Sequence, residues 1–108
     1  MRITVAMKAG VLRVRLGESL DIASAEEAKS RLLQVCDSAA NLELDLSSLV
    51  DIDTAGIQLL LALRRRRERA GTPVRMVHPS PNVLEAFQLV GLDRIFDETV
   101  AVTREGGA

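Results

Sequence analysis

The chain predicts an α/β domain: a mostly parallel sheet of four to five strands with an N-terminal hairpin and three to four helices. Three observations lead there. Arg2 to Met7 and Val11 to Leu16 alternate apolar with polar residues around Lys8-Ala9-Gly10, the period-two signature of an antiparallel hairpin. Beyond it, short apolar runs alternate with longer amphipathic segments, the order expected of parallel strands joined by helices packed on the sheet faces. The 108 residues contain no repeat or low-complexity linker, so they amount to one domain.

Each element has its own warrant. Gly17 to Leu20 breaks the hairpin pattern. Ser24-Ala25-Glu26-Glu27 has the form of a capping box, with Ser24 as the N-cap and Glu27 three residues on. Ala25, Ala28, Leu32, Val35 and Cys36 then make the buried stripe of a helix ending near Ser38. Leu42, Leu44, Leu46 and Leu49 read as a short strand leading into the turn at Thr54. A helix follows from Thr54 to about Ala70, stopped by Gly71. Thr72 to Val77 is the next strand, with Pro73 at its start, where a missing N–H does least harm. Pro79-Ser80-Pro81-Asn82 is a turn whose Ser80 or Asn82 caps a helix running to about Val90. Gly91 ends it, Ile95 to Val102 reads as a last strand, and 104–108 reads as a flexible tail after a domain spanning 1–103.

Composition excludes several functions. Hydrophobic residues make up 47 %, but there is no Trp or Tyr, and Phe87 and Phe96 are the two aromatics, so base-stacking platforms are lacking. A net charge of −1 gives no global attraction to nucleic acid or an anionic membrane. The single Cys36 excludes an internal disulfide and a tetrahedral thiolate metal site, and fits a reducing cytoplasm. The N-terminal Met1 to Met7 is too short for a signal peptide. The apolar run Ala55 to Leu63 falls far below the ~20 residues of a membrane span and ends in Arg64 to Arg67.

The most informative stretch is Asp45 to Ile57, Asp-Leu-Ser-Ser-Leu-Val-Asp-Ile-Asp-Thr-Ala-Gly-Ile. It sets the Thr54 hydroxyl in the first turn of a helix, where backbone N–H groups lack intrahelical partners and the dipole is positive. Such a place tolerates a phosphate. Ala55 and Gly56 keep that turn free of bulk. The helix is apolar on two sides, with Ile57, Leu60 and Leu61 on one and Ala55, Leu59, Ala62 and Leu63 on the other. The second face calls for a neighbouring helix, a partner protein or a second copy in a homodimer.

At these residues the chain resembles the STAS family, the domain named for sulfate transporters and anti-sigma factor antagonists. Leu20-Asp21-Ile22-Ala23-Ser24-Ala25 is similar to the family's Leu-Asp-x-x-x-Ala segment. Leu44 to Ser47 through Asp53-Thr54-Ala55-Gly56-Ile57 is similar to its central strand and Asp-Ser/Thr-x-Gly-Leu signature. Gly71 to Val77 resembles the following strand, and Phe87 to Phe96 the closing helix with its Gly-Leu-x-x-Ile/Leu-Phe ending. The resemblance covers nearly the whole chain. It implies an anti-sigma factor antagonist-like regulator that binds an anti-sigma factor/serine-threonine kinase, is switched by phosphorylation at Thr54 and is reset by a cognate phosphatase. It places partner binding at Asp21, Asp53, Thr54, Ala55, Gly56 and Ile57. Branches of the same family also accompany chemotaxis-type signalling systems. The small cytoplasmic subunit of a lipid-transport ABC transporter, contacting its ATPase, is the alternative reading. Two positions depart from the antagonists: Thr54 stands where they mostly carry Ser, and Glu18 where they usually have Gly, with Gly17 adjacent.

Nothing in the residues points to catalysis, a cofactor, a metal or direct nucleic-acid contact. His78, the sole histidine, precedes Pro79 at a strand end with no triad partners nearby in sequence, and reads as a loop residue. Arg64 to Arg67 spread around a helix axis and read as a solvated helix end favoured by the dipole. Asp21, Asp45, Asp51 and Asp53 lack the Gly-spaced oxygen pattern of a calcium loop and read as turn and capping residues. No phosphate-binding G-x-x-x-x-G-K-[ST] loop occurs. Cys36 reads as a small buried hydrophobe.

Overall fold

The computed structural model describes residues 2–37 and 41–96. The hairpin forms as expected, β1 (Arg2–Lys8) pairing antiparallel with β2 (Val11–Leu20) from Arg2↔Gly17 to Lys8↔Val11. Next come α1 (Ala25–Cys36), β3 (Asn41–Asp45), β4 (Leu49–Ile52), α2 (Thr54–Arg69), β5 (Val74–Val77) and α3 (Pro81–Leu89). The sheet has five strands in the order β1-β2-β3-β5, with β4 joined to β2. Every pairing beyond the hairpin is parallel.

Two sequence expectations change at β2. Gly17 to Leu20 does not end the strand. β2 pairs with β3 over Val11–Arg15, shifts register at Glu18, and continues beside β4 through Leu20. Glu18 itself, not Gly17, takes the left-handed conformation at φ 69°, and its amide donates to the Ser48 carbonyl at 3.2 Å. Correspondingly, Leu42 to Leu49 is not one strand. β3 stops at Asp45, whose carboxylate accepts from the Ser47 amide (2.9 Å) and hydroxyl (2.6 Å), an Asx-type turn that redirects the chain into the separate β4.

All three helices share one face of the sheet rather than covering both. Leu12, Val14, Leu16, Leu42, Leu44 and Met76 point to one side, where they join Ala28, Leu32, Ile57, Leu60, Leu63, Val83 and Phe87 in a single core. The intervening residues form a charged ladder on the other side. Arg13 pairs with Glu43 at 2.7 Å, Arg75 reaches Glu43 at 3.7 Å, and Arg15 pairs with Asp45 at 3.2 Å. Period-two alternation with one polar face is what an uncovered sheet face requires.

The capping box at Ser24 does not form. Ser24 is the N-cap of α1, but its hydroxyl caps no helix amide. It accepts from the Asp21 amide at 3.0 Å and lies 3.1 Å from the Ser19 carbonyl, to which it donates, closing the loop before the helix instead. Ser80 does cap α3, accepting from the Val83 amide at 3.3 Å. Ile95 and Phe96 are not strand residues. They lie in a helical turn at 94–96 and are buried, with Phe96 edge-on to Phe87 at 4.9 Å between ring centroids. The rest of the expected last strand and the expected tail at 104–108 lie outside the described residues, as does the side chain of Cys36.

Candidate functional site at the start of α2

Asp53 is extended (φ −114°, ψ −173°), and Thr54 is the first helical residue of α2. An aspartate belongs there because its carboxylate answers an amide that the helix cannot. Oδ1 accepts from Gly56 N at 3.1 Å, and the backbone carbonyl of Asp53 takes the Ile57 amide at 3.0 Å. The second oxygen does something the local sequence does not announce. Oδ2 accepts from the Ile22 amide at 3.1 Å, while the Asp53 amide donates to the Leu20 carbonyl at 3.2 Å. One residue thus joins the end of β2 through its amide, and the 21–24 loop and the mouth of α2 through its carboxylate.

Gly56 contributes by close approach. A methyl group built on its Cα would strike the Leu20 carbonyl oxygen, Ile52 Cγ1 at 2.7 Å and Leu20 Cγ at 3.0 Å. Its role is therefore to let the first turn of α2 press onto β2 and β4, more than to leave space in front of Thr54. Ile57 is buried in the core and anchors the same turn from below.

The predicted residues consequently differ in exposure. Thr54 is exposed, Asp53 and Ala55 are half-buried, and Gly56 and Ile57 are buried. Asp21 comes to the same end of the molecule through the loop, but its carboxylate is occupied locally, its Oδ1 accepting from the Ser24 amide at 3.0 Å. Asp51 stands apart, exposed and bonded to the Ile52 amide beside it at 3.0 Å. Ile22 was missed by sequence reasoning. It is 78 % exposed, and its amide is pinned to the carboxylate of Asp53, the residue before Thr54. The available signal was an isoleucine in a polar loop whose amide had no strand or helix to bond to.

The second apolar face of α2 is met largely from within. α1 packs beside it, and Leu32, Leu33, Leu59, Ala62 and Leu63 line a shallow cavity of about 240 Å³ between the two helices, with Lys29 and Arg66 also lining it. Arg66 reaches across to Asp37 at 3.0 Å. The arginine run also differs from expectation, because Arg67 is only 2 % exposed. Four consecutive helical residues must place one on the inward side, and here it is Arg67. His78 is an exposed loop residue, as expected.

Asp45, beneath the arginine ladder, shows the clearest electrostatic tuning. Burial alone raises its carboxyl, but hydrogen bonds from the Ser47 hydroxyl and amide and from Arg15, with the charge of Arg15, together outweigh that and hold it below the ordinary carboxylate value. Among the described residues, no three His, Cys, Asp or Glu side chains are grouped to hold a metal ion. No described helix is long and apolar enough to cross a membrane.

Comparison with known proteins agrees with this fold. The STAS domain model matches residues 2–106. The anti-sigma factor antagonist SpoIIAA in its unphosphorylated form superposes with a TM-score of 0.72 at 23 % identity, over 99 % of this chain and 98 % of that one. The Bacillus cell fate determinant SpoIIAA in its phosphorylated form gives 0.66 at 20 %, over 94 % and 99 %. An anti-sigma factor antagonist from Mycobacterium paratuberculosis gives 0.77 at 22 %, over 95 % and 93 %. At these identities the likeness establishes the fold. No curated protein sequence matches the chain significantly.

Proposed function

The chain belongs to the STAS domain family, and from that premise we propose that it is an anti-sigma factor antagonist-like regulatory protein, not an enzyme. It binds an anti-sigma factor/serine-threonine kinase in the cytoplasm and is switched by phosphorylation of Thr54. The observation that carries this reading is the placement of Thr54: exposed, first in α2, and directly after Asp53, whose carboxylate holds the amide of the exposed Ile22. The existence of SpoIIAA in unphosphorylated and phosphorylated forms supports the same logic.

The electrostatics favour a change in binding rather than in fold. A phosphate adds about −1.5 to −2 charges near pH 7. The N–H groups at the mouth of α2 tolerate that charge within the domain. Asp53 remains tied down, since both its carboxylate oxygens already accept backbone amides. A partner that docks on Ile22, Thr54 and Ala55 meets the charge where it expected apolar and neutral surface, so docking is lost through repulsion and desolvation. Gly56 and Ile57 support this surface from beneath, and Asp21 shapes the loop that carries Ile22.

The test is incubation of the wild type and Thr54→Ala with ATP and an anti-sigma factor/serine-threonine kinase from the same organism. The wild type should gain one phosphate by mass and the variant none. An unmodified wild type would remove the phospho-switch, while equal modification of the variant would place it at another residue.

A further inference from the structure

We propose that β1 is the interface of a homodimer, pairing antiparallel with β1 of a second copy about a two-fold axis through Val5 and extending the sheet across both molecules. β1 is an outer strand, and among the described elements it packs substantially against β2 alone. Its seven residues pair in unbroken register with no bulge. Edge strands normally carry a central charge, a proline or a bulge that prevents edge-to-edge pairing. Between Arg2 and Lys8, β1 has none of these: Ile3-Thr4-Val5-Ala6-Met7 is uncharged.

Its side chains also supply a face to bury. Ile3, Val5 and Met7 stand opposite Leu16, Val14 and Leu12, which are core residues, so they continue the helix-bearing face of the sheet beyond the helices. Val5 is 48 % and Met7 59 % exposed.

The occupant follows from the order of residues. Read outward from Val5, the strand runs Thr4/Ala6, Ile3/Met7, Arg2/Lys8, so it is nearly the same in both directions. A two-fold axis at Val5 therefore sets Val5 against Val5, Ile3 against Met7 and Thr4 against Ala6. Such a self-matching patch is what an isologous interface requires. The apolar side chains of both copies then form one stripe. The same register brings Arg2 against Lys8 at each end, a like-charge contact that weakens the pairing and that salt relieves.

The experiment uses the full chain with Cys36→Ser as background. Directly opposed residues of an antiparallel pair lie within disulfide range, whereas diagonal ones do not. Under copper-phenanthroline oxidation Val5→Cys should give a disulfide-linked dimer and Thr4→Cys should not. Sedimentation of the wild type should show a concentration-dependent dimer that strengthens with added salt, and Val5→Lys, with unchanged circular dichroism, should weaken it about tenfold or more. A wild type that stays monomeric throughout would overturn the proposal. So would cross-linking of Thr4→Cys without Val5→Cys, or a dimer indifferent to Val5→Lys.

Discussion

Replacing Gly56 with alanine is the sharpest probe of how α2 is seated. The new methyl would have to occupy space held by the Leu20 carbonyl oxygen and by Ile52 Cγ1, 2.7 Å from the ideal Cβ. One of these is backbone and cannot rotate away, so the first turn of α2 must lift from β2 and β4. Overpacking of this kind costs about 1–3 kcal/mol. Lifting the turn also disturbs the Asp53 cap on Gly56 and the Asp53 bridge to Ile22, which adds about 1 kcal/mol. Alanine's better helix propensity offsets at most about 1 kcal/mol. The expected net loss is about 1–3 kcal/mol, or a fall in melting temperature of roughly 5–20 °C for a domain of this size. Urea denaturation followed by circular dichroism measures it directly, with the midpoint moving and the slope unchanged. A loss below about 0.5 kcal/mol, within the range of an ordinary surface substitution, would refute the close packing of Gly56 on Leu20.

Two further predictions concern β2 and the ladder. Glu18→Gly should stabilise the domain by about 1 kcal/mol, because a left-handed residue at φ 69° is strained for any side chain while the Ser48 contact is made by backbone; unchanged or lower stability in urea would contradict that strain. Asp45 has a depressed carboxyl, so its contribution is fully present above the unfolded value of about 3.9 and is lost as pH falls through the lower folded value. The stability gap between wild type and Asp45→Asn should therefore hold from pH 7 to pH 5 and shrink below about pH 4, whereas a gap that widens on acidification would reverse the argument.

Much of this architecture was legible in the residues, and the failures have physical causes. The hairpin, the α2 boundaries and the Ser80 cap rest on local signals: period-two alternation, an Asp-Thr start, a Ser-Pro-Asn turn. What stayed hidden depends on partners distant in sequence. Ser24 has the spacing of a capping box, yet its hydroxyl is recruited by Ser19 and Asp21, an alternative that spacing alone does not reveal. β2 continues past Gly17 only because β4 arrives to pair with it, 31 residues on. That both helix-bearing strands and bare charged face belong to one sheet follows from Arg13, Glu43, Arg75, Arg15 and Asp45 lining up across strands. The candidate site divides the same way. Thr54 and Asp53 were readable from the helix start, but the Asp53 bond to the amide of Ile22, an exposed apolar residue, is a tertiary contact. Arg67 fell inward because a run of four arginines cannot all face solvent on one helix.

Thr54 is proposed as the residue through which charge governs docking. Titration calorimetry of an anti-sigma factor/serine-threonine kinase from the same organism against the wild-type domain, before and after phosphorylation of the domain, puts that to measurement. Binding should be tight for the unmodified protein, at least a hundredfold weaker once phosphorylated, and equally weak for Thr54→Glu, with circular dichroism unchanged throughout. Equal affinity of all three forms would contradict it.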